Sequence, residues 1–370
     1  MDSHVVVFRA DASLEMGTGH VMRCLTLANA LKALGRECHF ICREHPGHLI
    51  EYVLQQGHRV HPLAYVSGAD TDDDLAHASW LGTTQAQDAT LCAPLLASLQ
   101  PHWLVVDHYA LDTRWEQKLK SYYHKLLVID DLADRPHQCD VLLDQTLGRD
   151  SLDYRPWVPA NCTLLCGAHY ALLRPEFAAL RPYSLERRRS AGLRHILISM
   201  GGVDKNNATG QILAALATAE LPADYVITVV MGATAPWLEA VQQQATNMPV
   251  TTLVRSGVSD MAQLMADSDL AIGAAGATSW ERCCLGLPAL MAVLADNQMT
   301  AAAELEKQEA VITFGIDPGS ISGLGAIISR LAAEPSRQTR MSEHARLIAD
   351  GQGTYRVVNL LLHNQRRDCT

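Results

Sequence analysis

Residues 15–24 read EMGTGHVMRC and place His20 directly after Gly17 and Gly19, between the apolar run Val5–Phe8 and a helical pattern. A glycine loop between a strand and a helix exposes backbone N–H groups beside the positive end of the helix dipole, which suits an anion. An imidazole in a first helical turn has its cationic form disfavoured and can accept a proton near neutral pH. The same histidine can equally be a capping or packing residue, and spacing alone does not separate the two. The loop is not a dinucleotide fingerprint, because the third glycine of G-x-G-x-x-G would fall at Met22, and no Gly-Lys-Ser/Thr follows to make a Walker loop.

Three other stretches carry candidate chemistry. VVDHYALD ends a predicted strand and offers Asp107, His108 and Tyr109, either as functional groups or as turn residues with one amphipathic tyrosine. ISMGGVDKNNAT repeats the order strand, glycines, helix. Gly201 and Gly202 there would let N–H groups approach a phosphate, or simply make a tight turn closed by Asn207 as N-cap. In GAAGATSWERCCLGLPALMAVLADNQ the small residues Gly273 to Ala277 leave room for a ligand, and Glu281 follows in the first helical turn. A carboxylate there can accept both hydroxyls of a ribose. Thr278-x-x-Glu281 also fits a capping box. Asn297 and Gln298 follow the next predicted strand and would face the same ligand.

The elements that must hold these residues form two cycles. VVVFRAD, CHFICR, RVHPL, HWLVVDHY, KLLVIDD and CDVLLDQ read as strands separated by helical patterns. HILISM, DYVITVVM, VTTLVR, LAIGAA, ALMAVL and VITFGI repeat the scheme, with helices at 207–220, 235–246, 258–267, 278–286 and 299–309. Apolar strands alternating with helices imply an α/β fold with parallel sheets that bind ligands at the carboxyl ends of their strands. The expected division is 1–180 for an N-terminal catalytic domain, 181–193 for a basic, solvated linker, and 194–370 for a C-terminal domain. The two doubly wound domains are expected to face a cleft. The tail from Ser322 to Leu362 reads as helices only, which either finish the second domain or cross back to brace the first.

Composition narrows the function classes. A net charge of −10 disfavours nucleic acid and anionic membrane surfaces as partners, leaving a small-molecule substrate. The N-terminus lacks a basic region before its short apolar stretch, and no run approaches the ~20 residues that span a bilayer, so a cytoplasmic protein without stable membrane association is expected. The ten cysteines are scattered without a C-x-x-C pair and read as reduced core residues. Neither a cofactor nor a metal site is indicated, and oligomeric state is not legible.

Taken in order, RADAS, MGTGHVMRCLTLA, VVDHYALD, YALLRPEF, SMGGVD, TSWERCCLGLP and ADNQ resemble the hydrolases that release 2,4-diacetamido-2,4,6-trideoxy-L-altrose from its UDP conjugate in pseudaminic acid synthesis. That family is similar in turn to the glycosyltransferase that adds GlcNAc to lipid I, and shares its two-domain GT-B architecture of Rossmann-like halves. The resemblance spans roughly residues 5 to 300. It implies that His20 is the general base activating water and that Tyr109 and Asn297 line the sugar end. It further implies that Glu281 holds the uridine ribose, and that Gly19, Gly201 and Gly202, with Ser279 and Gln298, contact the UDP-sugar. A glycosyltransferase, a UDP-sugar epimerase and a non-catalytic UDP-sugar-binding protein are the alternatives that the same motifs admit.

Overall fold

The computed structural model describes residues 5–68, 73–189, 192–295 and 298–367. The chain divides into one compact unit made of residues up to Leu172 together with those from Gly353 onward, and a second made of Leu173–Gln352.

The first unit is built on seven strands: β1 Val5–Ala10, β2 Glu37–Arg43, β3 Arg59–Leu63, β4 Trp103–Asp107, β5 Lys125–Ile129, β6 Val141–Asp144 and β7 Thr163–Cys166. They pair in the order β3-β2-β1-β4-β5-β6-β7, every pair parallel. Both faces are covered, as the near-continuous apolar runs require. Val6, Phe8 and Ala10 of β1 pack into one core with Trp103 and Val105 of β4, while Val7 packs into another with Leu104 and Val106. This is the period of two that a pleated strand imposes. The helix α1, Gly19–Ala33, buries Val21, Cys24, Leu25, Ala28 and Leu31 against the first of these cores.

The second unit repeats the plan with β8 His195–Ser199, β9 Val226–Met231, β10 Thr251–Ser256, β11 Leu270–Ala274, β12 Ala289–Ala292 and β13 Val311–Phe314, in the parallel order β10-β9-β8-β11-β12-β13. In each sheet the chain order reverses beside the first strand of its cycle, between β1 and β4 and between β8 and β11. Such a reversal opens a crevice at the carboxyl ends of the strands.

Two features differ from the sequence reading. The stretch expected as a solvated linker at 181–193 begins inside a helix, Pro175–Arg187, opened by a proline at its first turn. Its basic residues are bound to the second unit. Arg188 Nη2 donates to Met265 O at 2.8 Å, Arg187 pairs with Asp269 at 2.7 Å, and Ser184 Oγ donates to Leu285 O at 2.7 Å. A run of arginines looks solvated in one dimension, but here it satisfies carbonyls at the ends of neighbouring elements. The second difference is β7, a short edge strand absent from the sequence reading.

The final helix, Gly353–Arg367, packs in the first unit, where Val357, Val358 and Leu361 enter the β1 core and Trp103 Nε1 donates to Leu361 O at 3.1 Å. The nine described cysteines are free thiols, all but Cys166 buried. Among the described residues no helix is long and apolar enough to cross a membrane.

Candidate functional site

The loop between β1 and α1 is held by its own backbone. Ser13 and Gly17 exchange hydrogen bonds, Ser13 Oγ accepts from the N–H groups of Glu15 and Met16, and Gly17 takes a φ of +79° that its neighbours would resist. Gly19 opens α1, and the space where its Cβ would stand has no atom within 4 Å. No side chain caps the helix and no acidic residue lies in its first turn, so among the described residues its leading N–H groups have no side-chain acceptor.

His20 sits in that first turn, and Asp107 ends β4, level with Ala10 of β1 in the register, so the pair occupies the sheet's switch point. His20 Nδ1 lies 2.6 Å from Asp107 Oδ1. Burial would raise the Asp107 pKa, but the Arg23 guanidinium and the His20 ring hold it well below the usual carboxylate range. An ionised carboxylate only accepts, so Nδ1 carries the proton and donates it, and Nε2 is the acceptor nitrogen. No hydrogen bond among the described residues engages Nε2.

Arg23, one helical turn beyond His20, binds Asp107 through Nε at 2.6 Å and Nη2 at 2.7 Å, and reaches Asp131 through Nη1 at 2.6 Å. The i, i+3 spacing of His20 and Arg23 puts both on one face of α1. Asp107 therefore orients His20 while its own charge is shared with Arg23. Tyr109 is buried, its ring edge-on to His20 at 4.6 Å, and its hydroxyl donates to Asp131 at 2.8 Å. Burial and Asp131 push the phenol pKa up, which keeps it a donor. The Tyr109 ring is covered by Trp80, His20, His77 and the Arg135 guanidinium. His108 faces away: Ala110 N–H donates to its Nδ1, and its Nε2 lies 3.3 Å from Asp11.

In the second unit Gly201, with φ +103°, and Gly202 are exposed after β8, and no hydrogen bond among the described residues engages their N–H groups. The next helix, Ala208–Ala217, is closed by its own residues. Asp204 accepts from the N–H groups of Ala208 at 2.8 Å and Thr209 at 2.9 Å, and Asn207 from that of Gly210 at 3.1 Å. Any anion here would meet the glycine N–H groups rather than the helix end.

At the end of β11, Thr278 is the first residue of the helix Thr278–Cys284 and caps nothing, so the capping box is not formed. The Glu281 carboxylate accepts no hydrogen bond among the described residues, and its nearest cation is Arg174 at 3.9 Å. Burial raises its pKa to about 7 against the opposing pull of Arg174 and Arg282. Ser279 is buried, and its Oγ accepts from Arg282 Nη2 at 3.1 Å, while the same nitrogen donates to Ala274 O at 2.6 Å. A Cβ on Gly273 would meet Arg282 Nη1 at 2.0 Å, which explains that glycine. Gln298 Oε1 accepts from Leu294 N–H at 2.9 Å and so braces its own loop. Asn297 lies outside the described residues.

The structure thus brings Gly19, His20 and Tyr109 together in the first unit, and in the second sets Gly201, Gly202 and Gln298 on loops and Ser279 and Glu281 in the helix Thr278–Cys284. Sequence reasoning missed Arg23, Asp131 and Arg282, of which only Arg23 carried a signal, its helical spacing from His20. Among the described residues no group of three or more histidines, cysteines or carboxylates could hold a metal ion.

Comparison with known proteins gives the second unit a family-level match: the glycosyltransferase family 28 C-terminal domain matches residues 196–354. The spore coat polysaccharide biosynthesis protein SpsG of Bacillus subtilis is 26% identical over 370 residues, covering 97% of each chain. The UDP-2,4-diacetamido-2,4,6-trideoxy-beta-L-altropyranose hydrolase of Campylobacter jejuni is 28% identical over 241 residues, 65% of this chain and 74% of that one. Protein MJ1062 of Methanocaldococcus jannaschii is 24% identical over 78% of this chain, which spans 55% of its length. Among solved structures, Acinetobacter baumannii MurG superposes with a TM-score of 0.68 at 18% identity, over 97% of this chain and 99% of that one. The fold is the α/β GT-B type, with two Rossmann-like units.

Proposed function

We propose that this protein is a UDP-sugar hydrolase that cleaves the anomeric carbon–oxygen bond with inversion, with UDP-2,4-diacetamido-2,4,6-trideoxy-beta-L-altropyranose as its substrate. The observation that carries the reading is the His20–Asp107 pair at the switch point, in which Asp107 fixes the tautomer and leaves Nε2 as the unengaged acceptor. A module that merely held a nucleotide sugar would have no use for an oriented base. The likeness to the Campylobacter jejuni hydrolase supports the substrate assignment.

In this reading His20 Nε2 takes a proton from water as the water oxygen attacks the anomeric carbon. The bond to the diphosphate breaks, its electron pair leaves with UDP, and attack opposite the leaving group inverts the centre. Asp107 stabilises the imidazolium as it forms, a role carboxylates play in other histidine-based sites. The second unit supplies the nucleotide contacts. Glu281 would accept from the ribose hydroxyls, and the free N–H groups of Gly201 and Gly202 would meet charge developing on the diphosphate. Ser279 and Gln298 would position the loops, with Asn297 and Tyr109 at the sugar.

The test is incubation with UDP-sugars in the absence of any acceptor, followed by phosphorus and anomeric-proton NMR. UDP with free sugar is the expected outcome, and His20→Asn should keep UDP affinity while losing turnover by about 10² to 10⁴-fold. Turnover only in the presence of an acceptor would make the protein a transferase, and a His20→Asn variant within a few-fold of the parent would return His20 to a packing role.

A further inference from the structure

Two aromatic residues beside His20 have no part in the chemistry above. Trp80 lies on the single turn Ala78–Leu81, and His77 immediately precedes it. The Trp80 ring stacks on Tyr109 at 5.7 Å and 26°, and stands edge-on to His20 at 6.4 Å. His77 meets Trp80 at 4.6 Å and Tyr109 at 5.3 Å, both edge-on. Four rings are therefore gathered at the base.

The group does not have the character of a core. Tyr109 is buried, but Trp80 and His77 are half-buried, and no hydrogen bond among the described residues engages the indole N–H or either nitrogen of His77. Buried tryptophans ordinarily find a partner for that N–H. The two fully buried tryptophans of this unit do so: Trp103 donates to Leu361 O, and Trp115 donates to Asp88 at 2.9 Å. Burial also lowers the His77 pKa, so the ring is neutral near pH 7 and offers one donor and one acceptor.

We infer that Trp80 and His77 form the wall that recognises the sugar, taking a pyranose with an apolar C–H face and an N-acyl substituent whose carbonyl accepts a hydrogen bond. The inference rests on the UDP-sugar reading above. A pyranose face stripped of a hydroxyl at C6 buries apolar surface against an indole, and an acetamido carbonyl matches the unpaired N–H donors at its edge. Trp80, backed by the buried Tyr109, then fixes the ring next to His20, while UDP itself gains nothing from it.

The experiment measures binding rather than turnover. In the His20→Asn protein, affinities for UDP, UDP-glucose and UDP-2,4-diacetamido-2,4,6-trideoxy-L-altrose are compared by calorimetry, with and without Trp80→Ala, Trp80→Phe and His77→Ala. The diacetamido sugar should bind more tightly than UDP-glucose. Trp80→Ala should cut that preference by about tenfold, Trp80→Phe should restore part of it, and UDP affinity should stay within about twofold in every variant. An unchanged preference in Trp80→Ala, or a diacetamido sugar that binds no better than UDP-glucose to start with, overturns the inference. Loss of UDP affinity alongside sugar affinity would assign Trp80 a structural role and overturn it as well. A protein that shows the preference yet releases no sugar from any UDP-sugar would instead refute the hydrolase reading and leave the wall standing.

Discussion

At the scale of single residues each unit holds one candidate carboxylate, and burial acts on the two with different outcomes. Asp107 is held ionised by Arg23 and His20, whereas burial raises Glu281 to about 7, with Arg174 3.9 Å away as its nearest cation. If the ionised form of Glu281 binds the ribose diol, UDP binding gains from Glu281 above pH 7 and loses it below. The ratio of UDP dissociation constants for Glu281→Gln and the parent should then rise about tenfold between pH 6 and pH 8. Taking the ratio cancels the titration of UDP's own phosphate. A ratio flat across that range would mean that Glu281 does not carry charge to the ligand. His20, Asp107 and Glu281 were all visible in the sequence, because each lies at a strand end or first helical turn that local pattern marks. Their states were not. Asp107 owes its ionisation to Arg23, 84 residues away in sequence, and Arg23 reaches Asp131 across 108 residues, distances over which no spacing rule operates.

At the scale of elements, twelve of the thirteen described strands could be read: most are buried on both faces and form near-continuous apolar runs, while the largely exposed edge strands Arg59–Leu63 and Thr251–Ser256 were read from their place in the alternation of strands and helices. The exception, Thr163–Cys166, is four residues long, lies at a sheet edge and buries only Leu165, so its short apolar stretch did not stand out from the surrounding loop. The helix Pro175–Arg187 was misread for a different reason: its arginines bind carbonyls contributed by elements about 80 to 165 residues further on. The helix Gly353–Arg367 is the element whose role most needs testing. Leu361 is fully buried in the β1 core and its carbonyl accepts from Trp103. Leu361→Ala should cost about 2–5 kcal/mol. Hydrogen exchange should show the loss of protection in the strands of the first unit, with the second unit unchanged. Equal loosening of both units, or none, would contradict the assignment of this helix to the first.

At the scale of the whole molecule, the chain repeats one architecture twice, and the proposed function gives each copy a different task. The first unit's switch point holds an oriented base with an uncapped helix N-terminus beside it, and the second unit has exposed glycines after β8 and, in the helix Thr278–Cys284, a carboxylate whose pKa burial raises to about 7. In the proposed reaction the bond that breaks reports whether His20 serves the sugar or the phosphates. A single turnover in oxygen-18 water, read by mass spectrometry of both products, distinguishes them most directly. The account expects the label in the released sugar, unlabelled UDP, and a first-formed anomer inverted relative to the substrate. Label in UDP, or UMP formed with sugar phosphate, would place the attack on phosphorus and contradict the role given to His20.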